Sequence, residues 1–177
     1  MIFITGGVRS GKSAFAEQLC QTLNRENNFY IATAQAIDDE MKKRIQLHQQ
    51  DRSEKALQWQ TIEMNVDFPE DFMPSAPSTI LFECITTWLS NVQYASEQSE
   101  QPHAFIEQAI ENLQQQLMLL NKNHTIILVS NELLDDVASQ YQETNDYRKY
   151  LGELHQRLIG QSEQVYEIEY KMIKKWK

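Results

Sequence analysis

The stretch GGVRSGKS, residues 6–13, places Gly6, Gly7, Val8, Arg9, Ser10, Gly11, Lys12 and Ser13 in the spacing GxxxxGK[ST]. That spacing suits phosphate. Glycine lets the backbone curl until successive N–H groups converge on phosphate oxygens, Lys12 adds a mobile positive charge for β- and γ-phosphates, and the Ser13 hydroxyl is a ligand for Mg²⁺. A helix starting at this point directs its positive end at the same anion. The chain holds five glycines, and Gly6, Gly7 and Gly11 all fall here. A plain strand-to-helix turn needs neither a third glycine nor the Lys-Ser pair.

Two further stretches carry reactive residue types. TILFE, residues 79–83, is apolar until it ends in Glu83, the pattern of a Walker B strand whose acidic end stands beside a phosphate loop and holds Mg²⁺ or a water on it. The plain alternative is a polar residue where a strand meets water. Glu40, Arg44 and His48 recur at four-residue steps and stack along one helical stripe, which Arg52 extends. Neutral imidazole is a competent nucleophile toward phosphorus, although a lone histidine is more often a surface residue. His103 and His124 read as loop residues, and His155 sits on a late helix with no identifiable partner. Cys20 and Cys84 make neither a metal spacing nor a disulfide framework and read as small buried side chains.

Positioning these groups requires strands that end near one another. Residues 1–5, 29–33, 59–63, 79–83, 125–129 and 165–168 read as strands, the last closing the chain near Glu167 and Glu169. Residues 14–23, 38–51, 85–94, 104–120 and 144–159 read as helices, and Pro69, Pro74 and Pro77 mark an irregular connection. Strands alternating with helices predict an α/β fold of the P-loop NTPase type, a mainly parallel sheet with helices on both faces in three layers. Ligands of such sheets sit at the carboxyl ends of the strands, which gathers residues 6–13, Thr33 and Glu83 into one site. At 177 residues the chain predicts one domain over residues 1–177.

Sixteen Lys and Arg against 25 Asp and Glu give a formal net charge of −9, so no broad basic surface is expected and nucleic acid is excluded as a partner. Small anions must then be held by local devices. No signal-peptide pattern and no apolar run near the ~20 residues of a membrane span are present, which predicts a cytoplasmic protein. A small GTPase would carry an Asn-Lys-x-Asp motif after a strand; Asn121-Lys122-Asn123-His124 lacks the aspartate and precedes its strand. Two classes are left: a kinase or nucleotidyl transferase acting on a small metabolite, and a non-catalytic module gated by nucleotide.

ITGGVRSGKS (4–13), YIATAQAIDDEMKKRIQLH (30–48), WQTIE (59–63), LFECITTWLSN (81–91) and LVSNE (128–132) together resemble the bifunctional adenosylcobinamide kinase and adenosylcobinamide-phosphate guanylyltransferase family of cobalamin biosynthesis. The resemblance covers the first three quarters of the chain. Beyond Glu132 the sequence departs from the family pattern, as with Tyr170-Lys171-Met172 where a glycine is usual. The resemblance implies phosphorylation of adenosylcobinamide by ATP or GTP, then transfer of GMP from GTP through a guanylyl-histidine. His48 matches the nucleophile. Residues 6–13, Ala32, Thr33, Ala34, the residues after His48 (Gln49, Gln50, Asp51 and Arg52), Glu63 and Glu83 match nucleotide-contacting positions. With Lys12 catalytic and Ser13 and Glu83 on Mg²⁺, the resemblance also implies a homo-oligomer, the trimer being the family's form.

Overall fold

The computed structural model describes residues 1–35, 42–43, 46, 57–69, 71–134 and 139–177. Its elements run β1 (Ile2–Gly6), α1 (Lys12–Leu23), β2 (Asn27–Ala32), β3 (Gln60–Glu63), β4 (Ser78–Glu83), α2 (Ile85–Ser96), α3 (Pro102–Leu120), β5 (Thr125–Val129), α4 (Gln142–Gln161), β6 (Gln164–Glu169) and β7 (Met172–Lys175). The seven strands form one sheet in the order β3-β2-β4-β5-β1-β6-β7, parallel throughout except for the antiparallel β6–β7 pair.

The apolar runs of β1, β4 and β5 are continuous because both faces of their sheet are covered. On one face Phe3, Ile80, Phe82, Ile126 and Leu128 pack with Trp88 of α2, Leu113 and Leu117 of α3, and Leu151 and Leu154 of α4. On the other, Ile4, Leu81, Ile127 and Val129 meet Ala16 and Cys20 of α1. This gives three layers. Each fully buried Leu, Ile or Phe in them contributes about 1.5–3 kcal/mol relative to exposure. Trp88, fully buried, also satisfies its polar edge by donating Nε1–H to the Val66 carbonyl at 2.7 Å.

Four expectations need correction, the first being His103, which lies in the first turn of α3 and not in a loop. The strand over 165–168 does not close the chain: Tyr170 and Lys171 turn it back into β7, both in the left-handed region at φ 51° and 64°. Neither residue is a usual turn former, which is why the hairpin leaves no signal in the sequence. Cys84 is only half-buried, unlike Cys20, whose thiol burial pushes up to about 12. His155 does have a partner: its Nε2 shares a 2.7 Å hydrogen bond with Ser130 Oγ, and its ring meets Phe3 edge-on. The helix expected over 38–51 falls largely outside the described residues.

Burial pushes the His155 imidazole down to about 4 from its ordinary 6.5. The folded state therefore favours the neutral ring, and the unfolded chain takes the proton first. Stability from this group is full above pH 6.5 and is lost as the pH falls toward 4, by roughly 3 kcal/mol. In urea titrations across that window, His155→Gln, which keeps a hydrogen-bonding side chain but does not titrate, is expected to lose less stability than the native protein. Parallel curves would remove His155 from the acid sensitivity.

Candidate active site

Between β1 and α1 the chain makes a loop whose glycines answer to measurable crowding. Gly6 adopts φ 154°, and a methyl group there would lie 2.1 Å from the Ile168 carbonyl oxygen and 2.8 Å from Ser10 Oγ. Gly11 adopts φ 102° and begins α1 without a side-chain cap or an acid in the first turn. The first N–H groups of α1 thus receive no side-chain cap. Arg9 takes the left-handed conformation at φ 61°. Val8 and Arg9 are exposed; Ser10 and Lys12 are buried.

Lys12 folds back over this loop, its ammonium donating to the Gly7 carbonyl at 3.0 Å. Burial pushes its pKa down, opposed by the nearby Cys84, Glu83 and Glu169. Ser13, one residue into the helix, donates its hydroxyl to a Glu83 carboxylate oxygen, and Tyr30 donates to the other oxygen at 3.3 Å. The sheet register explains the meeting. Glu63, Ala32, Glu83 and Val129 are Cα partners in one row across β3, β2, β4 and β5, so their side chains share the α1 face.

On the opposite face a polar clamp joins the strand ends. Thr33 Oγ1 accepts from the Cys84 N–H at 2.8 Å and donates to the Cys84 carbonyl at 3.0 Å, while Asn91 Nδ2 donates to the Thr33 carbonyl at 2.8 Å. Cys84 caps α2, its sulfur accepting from the Thr87 N–H at 3.4 Å, and Asn131 Nδ2 donates to Thr86 Oγ1 at 2.9 Å. Tyr147 of α4 donates to the Thr86 carbonyl at 2.8 Å, and burial pushes its phenol up to about 12.

The structure thus brings residues 6–13, Ala32, Thr33, Ala34, Glu63 and Glu83 to the carboxyl edge of the sheet. His48, Gln49, Gln50, Asp51 and Arg52, with Glu40 and Arg44, lie outside the described residues. Sequence reasoning missed the contribution of the far end of the chain. Glu169 Oε1 accepts the Gly7 N–H at 3.0 Å, and the Lys171 N–H donates to the Ser10 carbonyl at 2.9 Å. The only signal in the sequence was an acid ending a strand.

A mainly parallel sheet with a GxxxxGKS loop leading into an uncapped helix, and a strand-end carboxylate on the Ser hydroxyl, defines a P-loop-type α/β protein. The family model described as cobinamide kinase / cobinamide phosphate guanyltransferase matches residues 2–170. The chain belongs to that family of enzymes. It is 33% identical over 176 residues to the bifunctional adenosylcobalamin biosynthesis protein CobU of Salmonella typhimurium, covering 94% of this chain and 93% of the relative. The Pseudomonas aeruginosa protein CobP is 32% identical over 166 residues, at 92% and 88% coverage. The likeness therefore runs well past Glu132, further than the motifs alone show. A solved structure from Pyrococcus horikoshii OT3 superposes with a TM-score of 0.52 at 8% identity, covering 100% of this chain and 85% of that one, and shares the fold. Among the described residues no helix is long and apolar enough to cross a membrane.

The Gly6 contact gives a direct test of the loop. Gly6→Ala is expected to cost about 2–3 kcal/mol in urea denaturation, because the methyl must displace backbone. Gly152→Ala, where the nearest atom is Leu134 Cδ1 at 3.8 Å in the middle of α4, should instead be neutral or stabilise by up to about 1 kcal/mol.

Proposed function

We propose that this chain phosphorylates the hydroxyl of the aminopropanol arm of adenosylcobinamide with ATP or GTP, and then transfers GMP from GTP to the new phosphate. The observation that supports this most directly is the contact between Ser13 and Glu83 at the mouth of an uncapped helix, in a chain of the cobinamide kinase and guanyltransferase family. A hydroxyl and a carboxylate in contact, backed by a phosphate loop, fit the few protein ligands Mg²⁺ takes when phosphate oxygens supply the rest. Ser13 and Glu83 would hold that ion, whose chemistry is to neutralise charge on the transferring phosphate.

In the first step the loop N–H groups orient the triphosphate, and Lys12 leaves the Gly7 carbonyl to meet the β- and γ-phosphates. The substrate hydroxyl oxygen forms a bond to the γ-phosphorus and releases its proton to solvent, the bond to the β-bridging oxygen breaks, and the nucleoside diphosphate leaves. In the second step a ring nitrogen of His48 attacks the α-phosphorus of GTP and pyrophosphate leaves, so GMP is held as a phosphoramidate. An oxygen of the corrinoid phosphate then displaces the imidazole, which restores neutral His48 and gives adenosylcobinamide-GDP. Residues 49–52 and Glu63 are assigned to the guanine nucleotide, and a homo-oligomer to the assembly.

The two steps are expected to separate by residue. With adenosylcobinamide, Mg²⁺ and GTP labelled at the α-phosphate, native protein should form an acid-labile, alkali-stable adduct. His48→Ala should lose the adduct and pyrophosphate release while phosphorylating the corrinoid at the native rate. Lys12→Ala should fold normally and lose phosphoryl transfer by about 100-fold or more. Equal labelling of native and His48→Ala proteins, or guanylyl transfer with no adduct in either, would falsify the covalent route.

A further inference from the structure

The turn between β6 and β7 docks on the phosphate loop from a part of the chain that lies at and beyond the end of the family match, residue 170. Its backbone is fixed there by the Lys171 N–H on the Ser10 carbonyl at 2.9 Å. The Lys171 side chain crosses Gly11, close enough that a methyl at Gly11 would sit 3.4 Å from Lys171 Cγ. Gly11 immediately precedes Lys12, so the stem of the Lys171 side chain starts beside the first turn of α1, the end of the loop that carries Lys12.

Three observations set Lys171 apart from an ordinary turn residue. First, it and Tyr170 hold left-handed conformations at φ 64° and 51° in a two-residue hairpin turn, where Gly or Asn would fit with less strain. Strain of that kind gathers at functional positions. Second, the neighbouring lysines are engaged: Lys174 lies 3.9 Å from Glu167 and 3.4 Å from the centre of the Trp176 ring, and Lys177 donates to the Gly160 carbonyl at 3.4 Å. The Lys171 ammonium has no such partner among the described residues. Third, Glu83 and Glu169 both act on Lys12, two carboxylates beside one ammonium, so a further cation at this end of the loop adds to its attraction for a triphosphate.

We propose that this turn is a second cationic wall of the nucleotide site, with Lys171 a direct contact to the triphosphate beside Lys12. The inference rests on the nucleotide reading above and adds a binding residue to it. A contact made equally in the bound and transition states raises KM and leaves kcat alone. Lys171→Ala is expected to raise KM for GTP and ATP about tenfold in the phosphorylation step with kcat little changed. Lys171→Arg should restore KM to within about threefold of native, since it keeps the charge. Lys174→Ala removes the same charge from the same hairpin and should leave KM unchanged.

Lys171→Gly separates binding from architecture. It relieves the left-handed strain, so the melting temperature should hold or rise, while KM rises as in Lys171→Ala. A merely structural residue would show the reverse, affinity kept or improved with the relaxed backbone. Native-like KM in Lys171→Ala and Lys171→Gly, equal losses in Lys174→Ala, or failure of Lys171→Arg to recover affinity would each overturn the assignment while leaving the nucleotide reading in place. Failure of the native protein to bind GTP or ATP at all would instead overturn both.

Discussion

The close passage of backbone at Gly6 is the constraint on which the site depends. Here β1 ends against β6 with the Ile168 carbonyl so near that no side chain fits, and from this point the loop curls back to begin α1. The loop that starts from this approach carries Ser13 to the end of β4 and meets Glu169 and Lys171. A loop tied by hydrogen bonds at Gly7 and Ser10 to a neighbouring strand has lost conformational freedom before any ligand arrives, which lowers the entropy cost of holding one. Preorganised N–H groups are also what make such loops effective toward charge that develops during phosphoryl transfer.

A chain with a net charge of −9 must bind a polyanion against its own field. The solution visible here is local. The helix start at Gly11 is free of side-chain caps and acids, and Lys12 is sunk into the loop where its charge is screened less by water than on the surface. Burial disfavours the ammonium, and the carboxylates of Glu83 and Glu169 counter that by favouring the charged form. The same acids that keep Lys12 charged would repel phosphate if they stood alone. Each accepts a hydrogen bond from the loop or the helix start, Glu83 from the Ser13 hydroxyl and Glu169 from the Gly7 N–H, which offsets part of that repulsion.

What the sequence revealed follows from how local each signal is. The buried strands around Phe3, Leu81 and Ile127 and the phosphate loop are written in contiguous residues, and the structure returns them within a residue or two. Partners far apart in the chain are not so written. His155 and Ser130 meet only because α4 packs over β5, and Glu169 reaches Gly7 across 162 positions. The β7 hairpin was invisible because its turn uses Tyr170 and Lys171 in conformations that sequence patterns reserve for glycine and asparagine. Cys84 looked like a core residue by type, yet its place at the end of β4 makes it the cap of α2. The motif around His48 was read from residue types and family likeness alone.

Glu83 shows how a departure in side-chain length is absorbed. Aspartate is the more usual acid at the end of such a strand, and glutamate adds a methylene and a rotatable bond, so a freely moving carboxylate would hold a metal less rigidly. Here both oxygens are engaged, one by the Ser13 hydroxyl and the other, more weakly, by the Tyr30 phenol at 3.3 Å. Tyr30 is buried on β2, with its ring edge-on to Trp59, and stands on the α1 face two residues before Ala32 in the row beside Glu83. Its position is therefore fixed by packing rather than by the ligand. The longer acid gains its direction from these two hydroxyls, and the strand register that aligns β2 with β4 is what puts the second of them within reach.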